Sequence, residues 1–136
     1  MHPSILDDLG LSAALESMCL DLRQLEGMRI DFAARDVPED IDRRVAFCLY
    51  RVCQESLRNI SKHAQAQDVT VVLSGDGESL ELTVIDAGIG FDTARQKPGL
   101  GTQSMKERVR LVHGTVSIDS QPGHGTRVVV KVPLHG

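Results

Sequence analysis

The chain contains no tryptophan, one tyrosine (Tyr50) and three phenylalanines in 136 residues. So few rings argue against nucleic-acid binding by base stacking, which needs aromatic faces. Its three cysteines (Cys19, Cys48 and Cys53) are an odd number and form no C-x-x-C. They read as buried free thiols in a reducing compartment rather than as a disulfide framework. No apolar run approaches the length of a membrane span, and no signal peptide is visible. Basic charge is also in deficit. Lys and Arg number 15 against 19 Asp and Glu, a net charge of −4, which argues against a nucleic-acid or anionic-membrane surface.

What is present fits a globular domain. The hydrophobic fraction is 41% and the charged fraction 25%, both ordinary values. The length suits one domain, and such a chain buries roughly two thirds of its unfolded surface. No repeat, low-complexity segment or internal linker interrupts it.

Residues 1–10 read as a ragged start. A helix is expected over residues 11–27, with Ser12 as N-cap, a stripe of Leu15, Met18, Leu22 and Leu25, and Gly27 as its stop. Met28, Ile30 and Phe32 alternate as in a half-buried strand. Pro38 precedes a long helix, about residues 39–64, in which Ile41, Val45, Leu49, Val52, Ser56-Leu57 and Ile60 recur at three and four. At full length it would span roughly 39 Å. Residues 68–86 read as two strands joined at Gly75-Asp76-Gly77. Residues 91–101 are loop-like, residues 102–113 helical, and residues 114–134 form a second hairpin turning at Pro122-Gly123. The order α-β-α-β-β-α-β-β predicts an α+β fold, a two-layer α/β sandwich with helices on one face of a mixed, mainly antiparallel sheet.

Four stretches carry chemistry. On the long helix, Glu55, Asn59 and His63 share one face at i, i+4 and i+8, flanked by Arg51 and Lys62. A solvated polar face is one reading. The other starts from Asn being a poor helix former. Two hard oxygens one turn apart, beside an ammonium, suit a Mg²⁺-phosphate group, because Mg²⁺ takes few protein ligands alongside phosphate oxygens. In "VIDAGIGFD", residues 84–92, a strand ends on Asp86 and meets Gly88 and Gly90. Either a hairpin ends in an Asx turn, or Asp86 accepts a hydrogen bond from an exocyclic amine such as that of adenine, with glycine backbone close to the ligand. Thr93 stands where a dinucleotide fingerprint needs its third glycine, and the glycines replace the oxygen ligands of a calcium loop. In "GLGTQSMKERV", Gly99 and Gly101 precede a helix whose N-terminus could meet an anion. In "PGHGTRVVV", Gly123, Gly125 and Thr126 open the last strand. Each of these last two is, alone, an ordinary cap or turn.

Taken in order, the four stretches resemble the N, G1, G2 and G3 boxes of the GHKL ATPase superfamily, the Bergerat fold. "QESLRNISKHAQA", "GLGTQSMKERV" and "HPSILDDLGLSAAL" are similar to the corresponding segments of sensor histidine kinases of the nitrate-sensor type. The resemblance covers essentially the whole chain. It implies that Asn59 binds Mg²⁺ and that Glu55 orders the metal or its water, with a general-base role as second choice. It places Lys62 and His63 near the phosphates and Asp86 on the adenine amino group. Gly88 and Gly90 would line the adenine pocket. Residues 91–101 would be the ATP lid, the Gly99-Leu100-Gly101-Thr102 stretch its hinge against the phosphates, and Thr126 a neighbour of the adenine. Ala87, Thr102, His113 and His124 depart from the usual residues but remove no ligand-binding group.

The resemblance further implies that residues 1–10 end a linker from a dimerisation domain, and that residues 11–136 are the ATP-binding catalytic domain. No phosphoacceptor box matches in this chain, so the acceptor histidine is expected on that upstream domain, with a response regulator downstream. The isolated domain is expected to be cytoplasmic and monomeric, the full protein homodimeric, with its membrane anchoring left open. A serine kinase of the anti-sigma type, a topoisomerase-type ATPase and a degenerate binding-only domain are the alternatives.

Overall fold

A computed structural model describes residues 4–61, 68–87, 102–120, 123 and 125–134. The first described element is a short helix, α1 (Ser4–Leu9), where a ragged start was expected. Leu6 is the reason, since it is only 6% exposed. Arg43 Nε also meets Asp7 Oδ1 at 3.4 Å. Gly10, at φ 87°, turns the chain into α2 (Leu11–Glu26) and is its N-cap. Ser12 therefore lies inside the first turn and does not cap it. Leu11, Ala14, Leu15, Met18 and Cys19 are buried along one face. Gly27 ends α2 in the left-handed region, its N–H donating to Arg23 O at 3.1 Å.

Strand β1 (Arg29–Arg35) follows and leads to α3 (Arg43–Asn59). This helix starts later than its apolar pattern suggested. The carboxylate of Asp42 fixes the start by accepting from the N–H groups of Arg44 (2.8 Å) and Val45 (3.4 Å). Its 17 residues span about 26 Å. Ile60 keeps right-handed helical backbone angles, and residues 62–67 lie outside the described residues. Strands β2 (Asp68–Gly75) and β3 (Ser79–Asp86) form the expected hairpin. Asp76 accepts from the N–H groups of Glu78 and Ser79 at 2.9 and 2.8 Å, and Gly77 supplies φ 92°. Helix α4 (Thr102–Leu111) ends before its expected limit, and His113 takes φ 62°. Gly114 follows where a Cβ would lie 2.6 Å from Val132 Cγ1, so the exit from α4 is tight against the sheet. Strands β4 (Thr115–Ser120) and β5 (Thr126–Pro133) complete the fold.

The sheet order is β1-β2-β3-β5-β4, with β1 and β2 parallel and the other neighbours antiparallel. This is the mixed, mainly antiparallel α+β architecture expected. Val69, Val71 and Leu73 of β2 are buried, as are Leu80, Leu82 and Val84 of β3 and Val128, Val130 and Val132 of β5. The period of two puts all of them on one face. Helix α2 packs against β1, α3 against β3 and β5, and α4 against β4. Leu15, Val45, Leu49, Val52, Leu57 and Met105 are among the helices' fully buried contributions to this core.

Candidate functional site

One end of the sheet gathers the chemistry. Asp86 continues the alternation Leu80-Leu82-Val84, so its side chain falls on the helix-covered face, and it is 3% exposed. A carboxylate at a core position is costly to bury without polar partners. In register it stands between Val69 of β2 and Thr126 of β5. The preceding Gly125, at φ 76°, brings its backbone so close that a Cβ there would sit 2.2 Å from Asp86 O. Ser120, the last residue of β4, pairs with Thr126; their hydroxyls are 2.8 Å apart, and Ser120 Oγ donates to Gly125 O at 3.1 Å. Ser120 had no role in the sequence reading; only the β4–β5 register reveals it.

Topology directs two helix ends to the same rim. Helix α3 connects the parallel strands β1 and β2, so it runs back along the sheet. Its C-terminal turn, with Asn59, therefore lies toward the start of β2, beside Asp86. Helix α4 leads into Thr115, which pairs with Lys131 at the far end of β5. The N-terminus of α4, at Thr102, therefore points toward the rim of Asp86 and Thr126. Its first N–H groups lack intrahelical partners and carry the positive end of the helix dipole.

Asn59 and Glu55 are half-buried, one turn apart on α3. Glu55 is not on a simply solvated face. Its Oε1 lies 3.8 Å from Arg108 Nη2 of α4, with side-chain exposures of 15% for Glu55 and 30% for Arg108. Among the described residues, Glu55 Oε2 and Arg108 Nε are buried without hydrogen-bond partners. The α3–α4 seam is also held by Ser56 Oγ, which donates to Met105 Sδ at 3.4 Å, and by Cys48 Sγ, 3.6 Å from Arg108 O. Arg51 donates to Gln54 on its own helix. Arg108 falls within the "GLGTQSMKERV" stretch of the sequence reading but has no role assigned there; the pairing with Glu55 gives it one.

Lys62, His63, Gly88, Gly90, Gly99, Leu100 and Gly101 lie outside the described residues, as does the side chain of Thr102. The structure thus brings Asp86 directly beside Thr126 and puts Glu55 beside Asn59. Among the described residues no three of His, Cys, Asp and Glu converge on a metal position. The oxygens of Glu55 and Asn59 alone cannot make a protein cage. They fit an ion such as Mg²⁺, which keeps waters and phosphate oxygens in its shell. The buried, unpartnered Oε2 is the kind of atom such a shell would satisfy.

Of the cysteines, Cys48 belongs to the α3–α4 seam, while Cys19 and Cys53 are core residues of α2 and α3. All three are free and buried. Burial pushes the Cys19 thiol up to about 12 and Cys48 to about 11, and raises Cys53 as well. No described helix is long and apolar enough to cross a membrane.

Comparison with known proteins gives consistent results. The sequence profile described as histidine kinase-, DNA gyrase B-, and HSP90-like ATPase matches residues 45–136. The chain is 38% identical to the oxygen sensor histidine kinase NreB of Staphylococcus carnosus (strain TM300); the match covers 98% of this chain and 39% of that protein. The chain therefore spans about two fifths of this relative's length. Among solved structures, the histidine kinase domain of the blue-light activated histidine kinase of Erythrobacter litoralis EL346 superposes with a TM-score of 0.73 at 23% identity, covering 91% of this chain and 61% of that one. The nucleotide-free catalytic domain of histidine kinase ThkA superposes with a TM-score of 0.66 at 13% identity, covering 91% and 90%. At these identities the two structures speak for the fold alone.

Proposed function

The chain belongs to the histidine kinase-, DNA gyrase B-, and HSP90-like ATPase family, and from that premise we propose that it is the Mg·ATP-binding catalytic domain of a sensor histidine kinase. The observation that carries this reading is Asp86, a carboxylate kept 3% exposed on the core face at the end of β3. An acceptor in that position has a use if it meets a donor from a ligand. The amino group of adenine is such a donor, and a purine lacking it would forfeit that hydrogen bond. Thr126 and the backbone of Gly125 form the neighbouring wall.

The phosphates would lie toward the N-terminus of α4, where the helix dipole and free N–H groups favour negative charge. Asn59, with Glu55 one turn behind it, would hold Mg²⁺ or its waters. Bound there, Mg²⁺ would neutralise charge on the phosphate oxygens. Lys62, His63 and the Gly99-Leu100-Gly101-Thr102 stretch are proposed for the phosphate side, and Gly88 and Gly90 for the adenine side. The chain's own contribution is positioning and charge compensation, which dominate catalysis of phosphoryl transfer. An imidazole nitrogen would attack the γ-phosphorus, the bond to the β,γ-bridging oxygen would break with departure of ADP, and the proton on the other ring nitrogen would pass to a base or to water. The acceptor histidine is proposed to sit on an upstream dimerisation domain, and a response-regulator aspartate to receive the group next.

The test is transfer of radiolabelled γ-phosphoryl from ATP to a separately supplied dimerisation domain of a related kinase. Acid-labile label on its histidine, lost in Asn59→Ala, is the expected result. Acid-stable label on serine would favour the serine-kinase reading. ATP binding without transfer to any acceptor would favour a binding-only domain.

A further inference from the structure

The pairing of Glu55 with Arg108 has a direction. A guanidinium and a carboxylate can join through two parallel hydrogen bonds, and this geometry is the strong one. Here Arg108 Nη2 approaches Oε1 at 3.8 Å, an ion pair longer than a hydrogen bond. Oε2 is buried and has no hydrogen-bond partner among the described residues, and neither has Arg108 Nε. Burying these two atoms unpaired is costly, because each forfeits its hydration. If the pair served only to join α3 to α4, a shift to two-point contact would stabilise it. The seam already has other fastenings in Ser56–Met105 and Cys48–Arg108. The spare oxygen lies on the helix that also bears Asn59, one turn from it, about 6 Å along the axis.

We propose that Arg108 is the positioning residue for Glu55: its charge beside Oε1 orients the carboxylate so that Oε2 stays available to a water in the coordination shell of the nucleotide-bound Mg²⁺. Arg108 touches neither nucleotide nor metal in this scheme. It acts through Glu55, as partners of metal-site ligands do when they fix ligand orientation. The inference rests on the Mg·ATP reading above and deepens it by assigning a second layer to the metal side of the site.

The test separates metal-dependent from metal-independent binding. ATP is titrated calorimetrically into wild type, Glu55→Gln, Arg108→Gln, Arg108→Lys and the double variant Glu55→Gln/Arg108→Gln. Each titration is run with excess EDTA and with saturating Mg²⁺, after a thermal melt has shown the variant folded. In EDTA every folded variant should bind ATP within about twofold of wild type, because the adenine side is untouched. The gain in affinity on adding Mg²⁺ should fall by about 10–100-fold in Arg108→Gln, the usual consequence of removing such a partner. Arg108→Lys keeps the charge but not the fork, and should recover part of the gain. The double variant should be no worse than Glu55→Gln alone, since Arg108 has nothing left to position.

An Arg108→Gln protein that melts earlier but keeps the full Mg²⁺ gain would overturn the proposal and leave the pair as a helix clamp. Additive losses in the double variant would overturn it too. Should Arg108→Gln not fold, an unchanged Mg²⁺ gain in Arg108→Lys would do the same. Failure of wild type itself to bind ATP under either condition would instead remove the Mg·ATP reading and the inference with it.

Discussion

Gly125→Ala is the substitution whose cost can be worked out most directly, and Gly77→Ala is its internal control. Both glycines have positive φ, 76° and 92°. An L-residue forced there costs roughly 1–2 kcal/mol. At Gly77 an added Cβ meets nothing within 4 Å, so that strain is the whole effect. At Gly125 the Cβ would fall 2.2 Å from Asp86 O, 3.2 Å from Asp86 C and 3.3 Å from Ala87 Cα. These are backbone atoms at and just past the end of β3 and cannot swing aside as a side chain can. Overpacking of this kind adds about 1–3 kcal/mol. Urea denaturation should therefore show Gly125→Ala destabilised by about 2–5 kcal/mol and Gly77→Ala by about 1–2 kcal/mol. Relief can come only by moving the end of β3, so Gly125→Ala should also weaken ATP binding, while Gly77→Ala leaves it unchanged. Equal destabilisation by the two substitutions, with ATP binding intact in both, would refute the claim that Gly125 sets the position of Asp86.

Other outcomes follow from separate parts of the fold. Asp42→Ala removes the cap of α3 and should cost about 1 kcal/mol in the same denaturation assay. A thiol reagent at mildly alkaline pH should label none of Cys19, Cys48 and Cys53 in the folded protein and all three in denaturant, because burial raises their pKa values and blocks access. The Asp76 carboxyl is held below its usual 3.8 by the Glu78 N–H, then by the Ser79 N–H and hydroxyl. Its ionised form thus favours the native turn at neutral pH, and that contribution is lost as pH falls through the lowered folded value. Asp76→Asn should accordingly be less stable than wild type at pH 7, with the gap closing on acidification well below 3.8.

The sequence was most legible where a local period met a local stop. The alternation through Leu80, Leu82 and Val84 reaches Asp86 without a break, so period-two counting alone puts that carboxylate on the core face. Gly27 ended α2 where its left-handed conformation does. The start of α3 was misread because Pro38 is a strong boundary signal, yet the capping side chain is Asp42. Helix α1 has six residues, too few to show a helical period, and its burial of Leu6 depends on tertiary packing. The parallel pairing of β1 with β2, the Ser120–Thr126 contact and the Glu55–Arg108 pair join segments far apart in the chain. No local pattern encodes such meetings. It is the resemblance of the four motif stretches, not periodicity, that points to this end of the sheet as the site.

The central claim is that Asp86 reads the adenine amino group while Asn59 serves the metal. Calorimetric titration of ATP into wild type, Asp86→Asn and Asn59→Ala, each with Mg²⁺ and with EDTA, tests it most directly. Asp86→Asn should lose binding under both conditions, and Asn59→Ala should lose only the increment that Mg²⁺ brings to wild type. A folded Asp86→Asn protein that binds ATP as tightly as wild type would contradict the account.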